Sequence, residues 1–240
     1  MSLEINSDND YFARNGASNL GSVTSGTLVG WYYKNDATNN DLAVVFSKSG
    51  TSSSFRTVSA TEMKVRCGTN DSSNFTANSS TWMKLAVTVT SGGTFTFYAA
   101  PAGSSLAQVY TENSTNTNQV AAITGGQDGG SYTSARGAYR YFRYWAGRVL
   151  TLEEIEAEFA MTPSSGSPAA SVTSLYLSWP LPDGTTTTDW GSNSAPPTIS
   201  GAATSAEEPP IGGGAVIDPG VILPPPPTAF GPDRGFGFGY

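Results

Sequence analysis

Histidine is absent from the sequence, and cysteine occurs once, as Cys67. Without histidine, the chain cannot build a Ser-His-Asp or Cys-His catalytic group, or a zinc or iron site with histidine ligands. A single cysteine also excludes a disulfide within the chain and a metal site made of four cysteines. Cys67 alternates with Met63 and Val65. We therefore predict that its thiol is a small buried apolar group and not a nucleophile.

Positive charge and long apolar runs are also scarce. The chain has 12 Lys and Arg against 19 Asp and Glu, which gives a net charge of −7 and an isoelectric point near 4.5. This balance argues against nucleic acid or an anionic membrane as a partner, because both attract basic proteins. No apolar run approaches the roughly 20 residues that span a bilayer, so no membrane insertion is expected. The opening residues, MSLEINSDND, lack a signal-peptide pattern, so we expect synthesis in a cytoplasm.

The sequence is rich in short strand patterns separated by turns of Gly, Asn, Ser and Asp. Residues 62–67 alternate apolar and charged side chains, as expected of a strand with one face in the core. Residues 27–34, TLVGWYYK, are apolar on both faces, which predicts a central strand covered on both sides. Residues 82–90 and 94–98 flank a Ser-Gly-Gly turn and predict a hairpin. Together these patterns predict an all-β fold of antiparallel strands.

One helix is predicted, in the segment VLTLEEIEAEF. Thr151 and Glu154 have the spacing of a capping box, and Leu152, Ile155 and Phe159 share one helical face. On a strand, the alternating glutamates of this segment would instead share a face, where two carboxylates could serve a glycosidase. The capping box favours the helix, on which these glutamates spread into solvent. We therefore expect no catalytic carboxylate pair and no enzymatic activity.

Two stretches resemble laminin-G-like, or concanavalin A-like, jelly-roll domains. One is TWMKLAVTVTSGGTFTFYAAPAGSSLA, with a Trp-led strand, a Gly turn and a Phe/Tyr strand. The other is YFRYWAGRVLTLEEIEAEF, in which an Arg-bearing strand runs into a short helix. The start, LEINSDNDYFARNG, is similar to the opening strands of these domains. The resemblance implies an antiparallel two-sheet jelly-roll sandwich with one short helix.

A second resemblance lies in LYLSWPLPDGTTTTDWGSNSAPPTISGAATSAEEPPIGG. This stretch is similar to segments of bacteriophage structural proteins with laminin-G-like domains, which share a Trp-Pro-Leu element and a Pro-rich exit. The resemblance implies a structural protein of the virion, either a capsid decoration or accessory protein or a component of the tail or fibre. The implied partners are other capsid or tail subunits, further copies of the chain and a host-surface glycan. A free lectin-like carbohydrate-binding module is the alternative.

Composition divides the chain into three parts. We predict a laminin-G-like sandwich core in residues 1–163, a linker with closing strands in residues 164–206, and a Pro/Gly-rich extended C-terminal arm in residues 207–240. Flexible tails rarely carry many large apolar side chains, each of which gains about 1.5–3 kcal/mol on burial. Prolines stiffen the arm, and a polyproline II conformation lets it reach far from the sandwich. We therefore expect the arm to bind neighbouring subunits through nine residues: Val216, Ile217, Val221, Ile222, Leu223, Phe230, Phe236, Phe238 and Tyr240.

Two kinds of ligand site remain open from the sequence. Four aromatic residues of one predicted strand are candidates for stacking on a glycan: Tyr139, Tyr141, Tyr144 and Trp145. The alternative for each ring is a place in the core, where aromatic residues are common. Three oxygen-rich segments could supply calcium ligands: residues 6–10, 35–41 and 70–74. Because Asn and Asp are also the usual turn formers, we favour turns and predict no metal and no cofactor.

Overall fold

The computed structural model describes residues 1–35, 41–126, 134–160, 175–185, 189–193 and 196–210. The first eight strands of this part of the chain are β1 (Ser2–Ile5), β2 (Tyr11–Asn15), β3 (Gly26–Lys34), β4 (Leu42–Lys48), β5 (Ser53–Ser59), β6 (Glu62–Cys67), β7 (Asn70–Asp71) and β8 (Phe75–Thr76). The other strands are β9 (Thr81–Val89), β10 (Thr94–Pro101), β11 (Ala107–Asn113), β12 (Val120–Gly126), β13 (Gly137–Ala146), β14 (Leu175–Trp179), β15 (Thr198–Ser200) and β16 (Ala203–Ser205). A 3-10 helix spans Ala17–Leu20, and the α-helix α1 spans Leu152–Ala160. None of the helices within these residues is long and apolar enough to cross a bilayer.

The strands form two antiparallel sheets that face each other in a jelly-roll sandwich. The first sheet has the order β11-β10-β9-β3-β13-β1-β16, and β14 also pairs with β13. The second sheet has the order β15-β2-β12-β4-β5-β6-β7, and β8 pairs with β6. The late strands β14, β15 and β16 therefore add to both sheets. The predicted fold class, an all-β antiparallel sandwich with one short helix, is confirmed.

The space between the sheets is filled by apolar side chains from both of them. Met63, Val65 and Cys67 are buried while their charged neighbours in β6 are half-buried, which confirms the predicted alternation. Across the predicted hairpin, Val89 of β9 pairs with Phe95 of β10, and both side chains are buried. Gly93 closes this turn with a φ of 93°, a left-handed conformation that favours glycine.

Strand β3 is covered on both faces, as its sequence predicts. Leu28 and Tyr32 belong to the core between the sheets. Val29 and Trp31 belong to a second apolar cluster on the outer face of the first sheet. Helix α1 covers this outer face, where the ring of Phe159 packs edge-on against Trp31 with 5.1 Å between the ring centres. The protein therefore has one core between the sheets and a second core beneath the helix.

Lys34, at the end of β3, is a fully buried charged residue. Its ammonium group donates hydrogen bonds to the backbone carbonyl oxygens of Ser59, of Glu62 at 3.1 Å and of Ala77 at 2.7 Å. Burial lowers the pKa of this ammonium group to about 8, and the negative charge of Glu62 opposes the shift. The group is therefore mostly protonated at pH 7. One lysine thus ties the β5–β6 turn and the segment after β8 to the first sheet.

We predict that Lys34→Met lowers the free energy of unfolding by about 2–3 kcal/mol, because buried carbonyl oxygens lose their hydrogen-bond donor. Lys64→Met is the control, since Lys64 forms an ion pair with Asp71 near the surface, with 3.0 Å between nitrogen and oxygen. It should cost less than about 1 kcal/mol. Urea unfolding followed by tryptophan fluorescence measures both variants. Equal losses in the two variants would contradict the role assigned to Lys34.

Candidate functional site

Helix α1 begins at the predicted capping box. The backbone N–H of Glu154 donates to Oγ1 of Thr151 at 3.3 Å, and the Glu154 carboxylate accepts from the backbone N–H of Thr151 at 2.9 Å. Ile155 and Phe159 are buried on the outer face of the first sheet, as their spacing predicts. Leu152, the third apolar residue of the predicted face, is 37% exposed. The helix therefore leaves an apolar side chain at the surface near its first turn.

The prediction that the glutamates of α1 spread into solvent is wrong for Glu158. Its side chain is fully buried and forms an ion pair with the guanidinium group of Arg143 in β13, which is also buried. Residue 158 lies three positions after Ile155, so the two side chains share the face that meets the sheet. Arg143 also donates to the backbone carbonyl oxygen of Glu158 at 2.8 Å. Burial lowers the pKa of Arg143, and the charge of Glu158 opposes this shift.

The other two glutamates of the alternating set also pair with cations. Glu154 forms an ion pair with Arg148, and Glu156 forms one with Lys84 of β9 at 2.9 Å. With Glu158, each of the three carboxylates therefore meets a different cation. This is the arrangement of a helix packed on a sheet, so the alternative of a strand bearing a catalytic carboxylate pair does not apply to this segment.

A groove of about 780 Å³ lies between α1 and the outer face of the first sheet. Four large apolar side chains line it: Trp31, Leu106, Leu152 and Phe159. Three of them are buried, and Leu152 is the exposed member. The volume is that of a typical ligand site, and the lining combines these apolar side chains with polar ones, namely Lys84, Ser104, Ser105, Glu153 and Glu156.

Two of the three charged side chains at the groove are bonded within the protein, and the third, Glu153, is exposed in the first turn of α1. Lys84 and Glu156, which form an ion pair, both contribute to the lining. Lys84 also donates to the backbone carbonyl oxygen of Ser104 at 2.9 Å, and the Glu156 carboxylate accepts from the backbone N–H of Leu106. Pro210, the last described residue, lines the same groove. No sequence pattern predicts this groove, because its residues come from segments far apart along the chain.

Three of the four rings considered for glycan stacking are core residues. Tyr139, Tyr144 and Trp145 are each 0% exposed. Both tyrosine hydroxyl groups donate to backbone carbonyl oxygens, and burial raises the pKa of both. Strand β13 is covered on both faces, so a ligand cannot reach these three rings. The stacking hypothesis is therefore corrected to the one half-buried ring of the set, that of Tyr141.

Tyr141 lies at an irregularity of β13, where its register with β3 shifts between Arg140 and Arg143. Its φ of 52° is rare for a bulky residue. The Arg140 guanidinium lies over the Tyr141 ring, 4.3 Å from its centre. Arg140 is fixed in turn by a hydrogen bond from Nη1 to the carbonyl oxygen of Pro180 at 2.8 Å and by an ion pair with Glu208 at 3.3 Å. The half-buried Tyr141 ring, on a strained backbone, is thus held between the outer apolar cluster and an oriented arginine.

The first oxygen-rich loop forms a turn. The Asp10 carboxylate accepts hydrogen bonds from the backbone N–H groups of Asn6 at 3.1 Å and Ser7 at 2.9 Å, and from the Ser7 hydroxyl at 2.7 Å. In the third loop, Asp71 pairs with Lys64. Residues 36–40 of the second loop lie outside the described residues. In the part of the chain that the structure covers, no three His, Cys, Asp or Glu side chains are grouped to hold a metal ion.

The cysteine and the arm complete the set of predicted features. Cys67 is 1% exposed, and burial raises the pKa of its thiol to about 12. It is a core residue, as its alternation predicts. The nine predicted partner-binding residues of the arm lie outside the described residues: Val216, Ile217, Val221, Ile222, Leu223, Phe230, Phe236, Phe238 and Tyr240.

Comparison with models of protein families and with curated protein sequences found no match. Among solved structures, a candidate carbohydrate-binding protein from Bacteroides ovatus matches with a TM-score of 0.57 and 13% identity, over 87% of this chain and 61% of its own. A heptameric SAP-like pentraxin from Limulus polyphemus matches with a TM-score of 0.48 and 12% identity, over 85% of this chain and 96% of its own. At such identities the likeness to the Bacteroides protein shows the fold alone. The fold that the sequence resemblance implied, an antiparallel two-sheet jelly-roll sandwich, is therefore confirmed.

We predict that Glu158→Gln lowers the free energy of unfolding by about 3 kcal/mol, because it leaves the charge of Arg143 buried without its partner. Replacing both partners, as Glu158→Leu with Arg143→Met, should recover part of this loss. Glu207→Gln, at an exposed residue, is the control and should leave the unfolding midpoint unchanged. Urea unfolding measures all three. A Glu158→Gln variant as stable as the unmodified protein would show that the buried pair does not hold the helix.

Proposed function

We propose that the chain is a non-catalytic structural protein of a bacteriophage virion, a capsid decoration or accessory protein attached to neighbouring subunits by its arm. The observation that carries this proposal is that both described sheets are formed by residues before Pro210, and that Glu208, at the start of the arm, is paired with Met1 and Arg140 of the sandwich. Strand β16 (Ala203–Ser205) adds the last strand to the first sheet, and the nine apolar arm residues all follow Pro210. We expect the apolar side chains from Val221 onward to be buried on another protein. Burial of the same apolar residues would attach the protein equally well to the tail or a fibre.

The composition of the arm supports binding as its task. Each large apolar side chain gains about 1.5–3 kcal/mol when it is buried. The run of four prolines at residues 224–227 limits the conformations of the free arm, so less entropy is lost when it docks. In this arrangement the arm holds the protein in the particle, and the sandwich faces outward toward the host.

The arm is tested by truncation after Pro210. Tagged full-length and truncated chains are produced in cells infected by the phage that encodes the protein, and released particles are separated on a density gradient. We expect the full chain to sediment with the particles and the truncated chain to remain at the top of the gradient, because the attachment residues are gone. Circular dichroism of the purified truncated chain should show the β-sheet signal of the full chain.

A chain in which Phe230, Phe236, Phe238 and Tyr240 are replaced by Ser is the matched control for arm length. It should fail to join particles as the truncated chain does, because the apolar rings and not the length of the arm provide attachment. Incorporation of the truncated chain at full occupancy would contradict the proposal.

A second candidate function is carbohydrate binding at Tyr141. The observation that favours it is the half-buried Tyr141 ring, which is held at a φ of 52° with Arg140 over it. Strained backbone of this kind concentrates at functional sites. Sugars stack on an open face of an aromatic ring, and the Arg140 guanidinium group, which covers one face of Tyr141, would donate to hydroxyl or carboxylate oxygens of a sugar held at the ring. The similarity in fold to the candidate carbohydrate-binding protein of Bacteroides ovatus agrees with this candidate.

A glycan array probed with the purified full-length chain tests this candidate. We expect saturable binding to one oligosaccharide class and a loss of about tenfold or more in affinity for Tyr141→Ala, because stacking of a ligand ring on one aromatic side chain is worth about 1–3 kcal/mol. Tyr11→Ala, at a half-buried tyrosine of the second sheet, is the control and should bind as the unmodified chain does. An array without hits, or equal binding by Tyr141→Ala, would rule out this site.

A further inference from the structure

The chain crosses the outer face of the first sheet just before it leaves the described residues. Strand β16 lies at the edge of this sheet. Three residues later, Glu208 forms ion pairs with the N-terminal amino group of Met1 and with Arg140 of β13. Arg140 is in register with Trp31 of β3, and Pro210 lines the groove together with Trp31. Between residues 208 and 210 the chain has therefore moved inward from β13 to β3.

If the chain continues from β3 toward β9, it enters the groove beside α1. Across the sheet, Trp31 is in register with Lys84 of β9, and Lys84 is in register with Ala100 of β10. The groove extends past Lys84 to Leu106, in the loop that follows β10. Neighbouring strands lie about 4.8 Å apart, so β10 is about 10 Å beyond Trp31. Seven extended residues span about 23 Å, so residues 211–217 are long enough to cross the groove.

The chemistry of residues 211–217, IGGGAVI, matches that of the groove. The segment has no charged residue, and the next charge along the chain is that of Asp218. Three consecutive glycines let the backbone approach a surface closely. Ile211, Val216 and Ile217 then provide apolar side chains that can cover the exposed Leu152.

We propose that the groove between α1 and the first sheet is a docking site for residues 211–217 of the same chain. The tether at Pro210 gives this segment an effective concentration on the order of millimolar, so modest apolar contact suffices to keep it bound. Docking divides the arm into two parts. Residues 211–217 belong to the chain's own sandwich, and the apolar residues from Val221 onward extend to partners. The proposal rests on the proposed function only for that second part.

Thiol labelling of the isolated full-length chain tests the docking. Cys67 is buried, so Val216→Cys supplies the one accessible thiol. We expect iodoacetamide to label it about tenfold more slowly than in a chain that also carries Leu152→Asp, because the new carboxylate opens the docked segment. An acidic residue in the first turn suits the helix dipole, so α1 is retained. Val149→Asp, at a residue 43% exposed and outside the groove lining, is the matched control and should leave labelling slow.

Equal labelling rates in all three chains would overturn the proposal. Slow labelling that appears only as the protein concentration is raised would also overturn it, because the groove would then hold the arm of a second copy. The measurement uses no virus particles. A failure of docking is therefore distinguishable from a failure of the arm to attach the protein to a particle.

Discussion

The structure depends on the burial of two central strands, β3 and β13, on both of their faces. One face of each strand meets the second sheet, as in any sandwich. The other face carries Trp31 and Trp145, and leaving such rings in water would forgo about 1.5–3 kcal/mol for each side chain. The outer face of the first sheet must therefore be covered. Helix α1 and the segment that leads to Pro210 provide described parts of this cover.

Each of the two covering segments is bound by an arginine of β13. Arg143 forms an ion pair with the buried carboxylate of Glu158 in the helix. Arg140 forms an ion pair with Glu208 in the segment that leads to Pro210. One strand therefore positions both covers, and the shift of register between these arginines places Tyr141 at the surface. The groove lies between the helix and the sheet at the point where the chain passes Pro210. The binding surfaces proposed for this protein thus arise from the way in which its outer face is covered.

Local patterns predicted the elements well and the contacts between them poorly. The alternation at Cys67 and the capping box at Thr151 depend on neighbours within a few residues, and both are as predicted. Glu158 was misjudged because its partner Arg143 lies fifteen positions away on a different element, and a helical pattern does not report which face meets an arginine. The signal that could have revealed the pair is the position of Arg143 between aromatic residues of β13, because a buried arginine needs an acidic partner. The groove brings Trp31 near Pro210, and no local pattern relates two residues so far apart.

The central claim is that the apolar residues of the arm from Val221 onward are buried on another protein. A photoreactive amino acid placed at Phe236 tests it most directly, with the cross-linked products identified by mass spectrometry after irradiation of assembled particles. The account predicts cross-links to a different polypeptide or to another copy of this chain, with few to the chain's own residues 1–210. Cross-links confined to the chain's own sandwich would contradict it, because the arm would then complete one molecule instead of joining two.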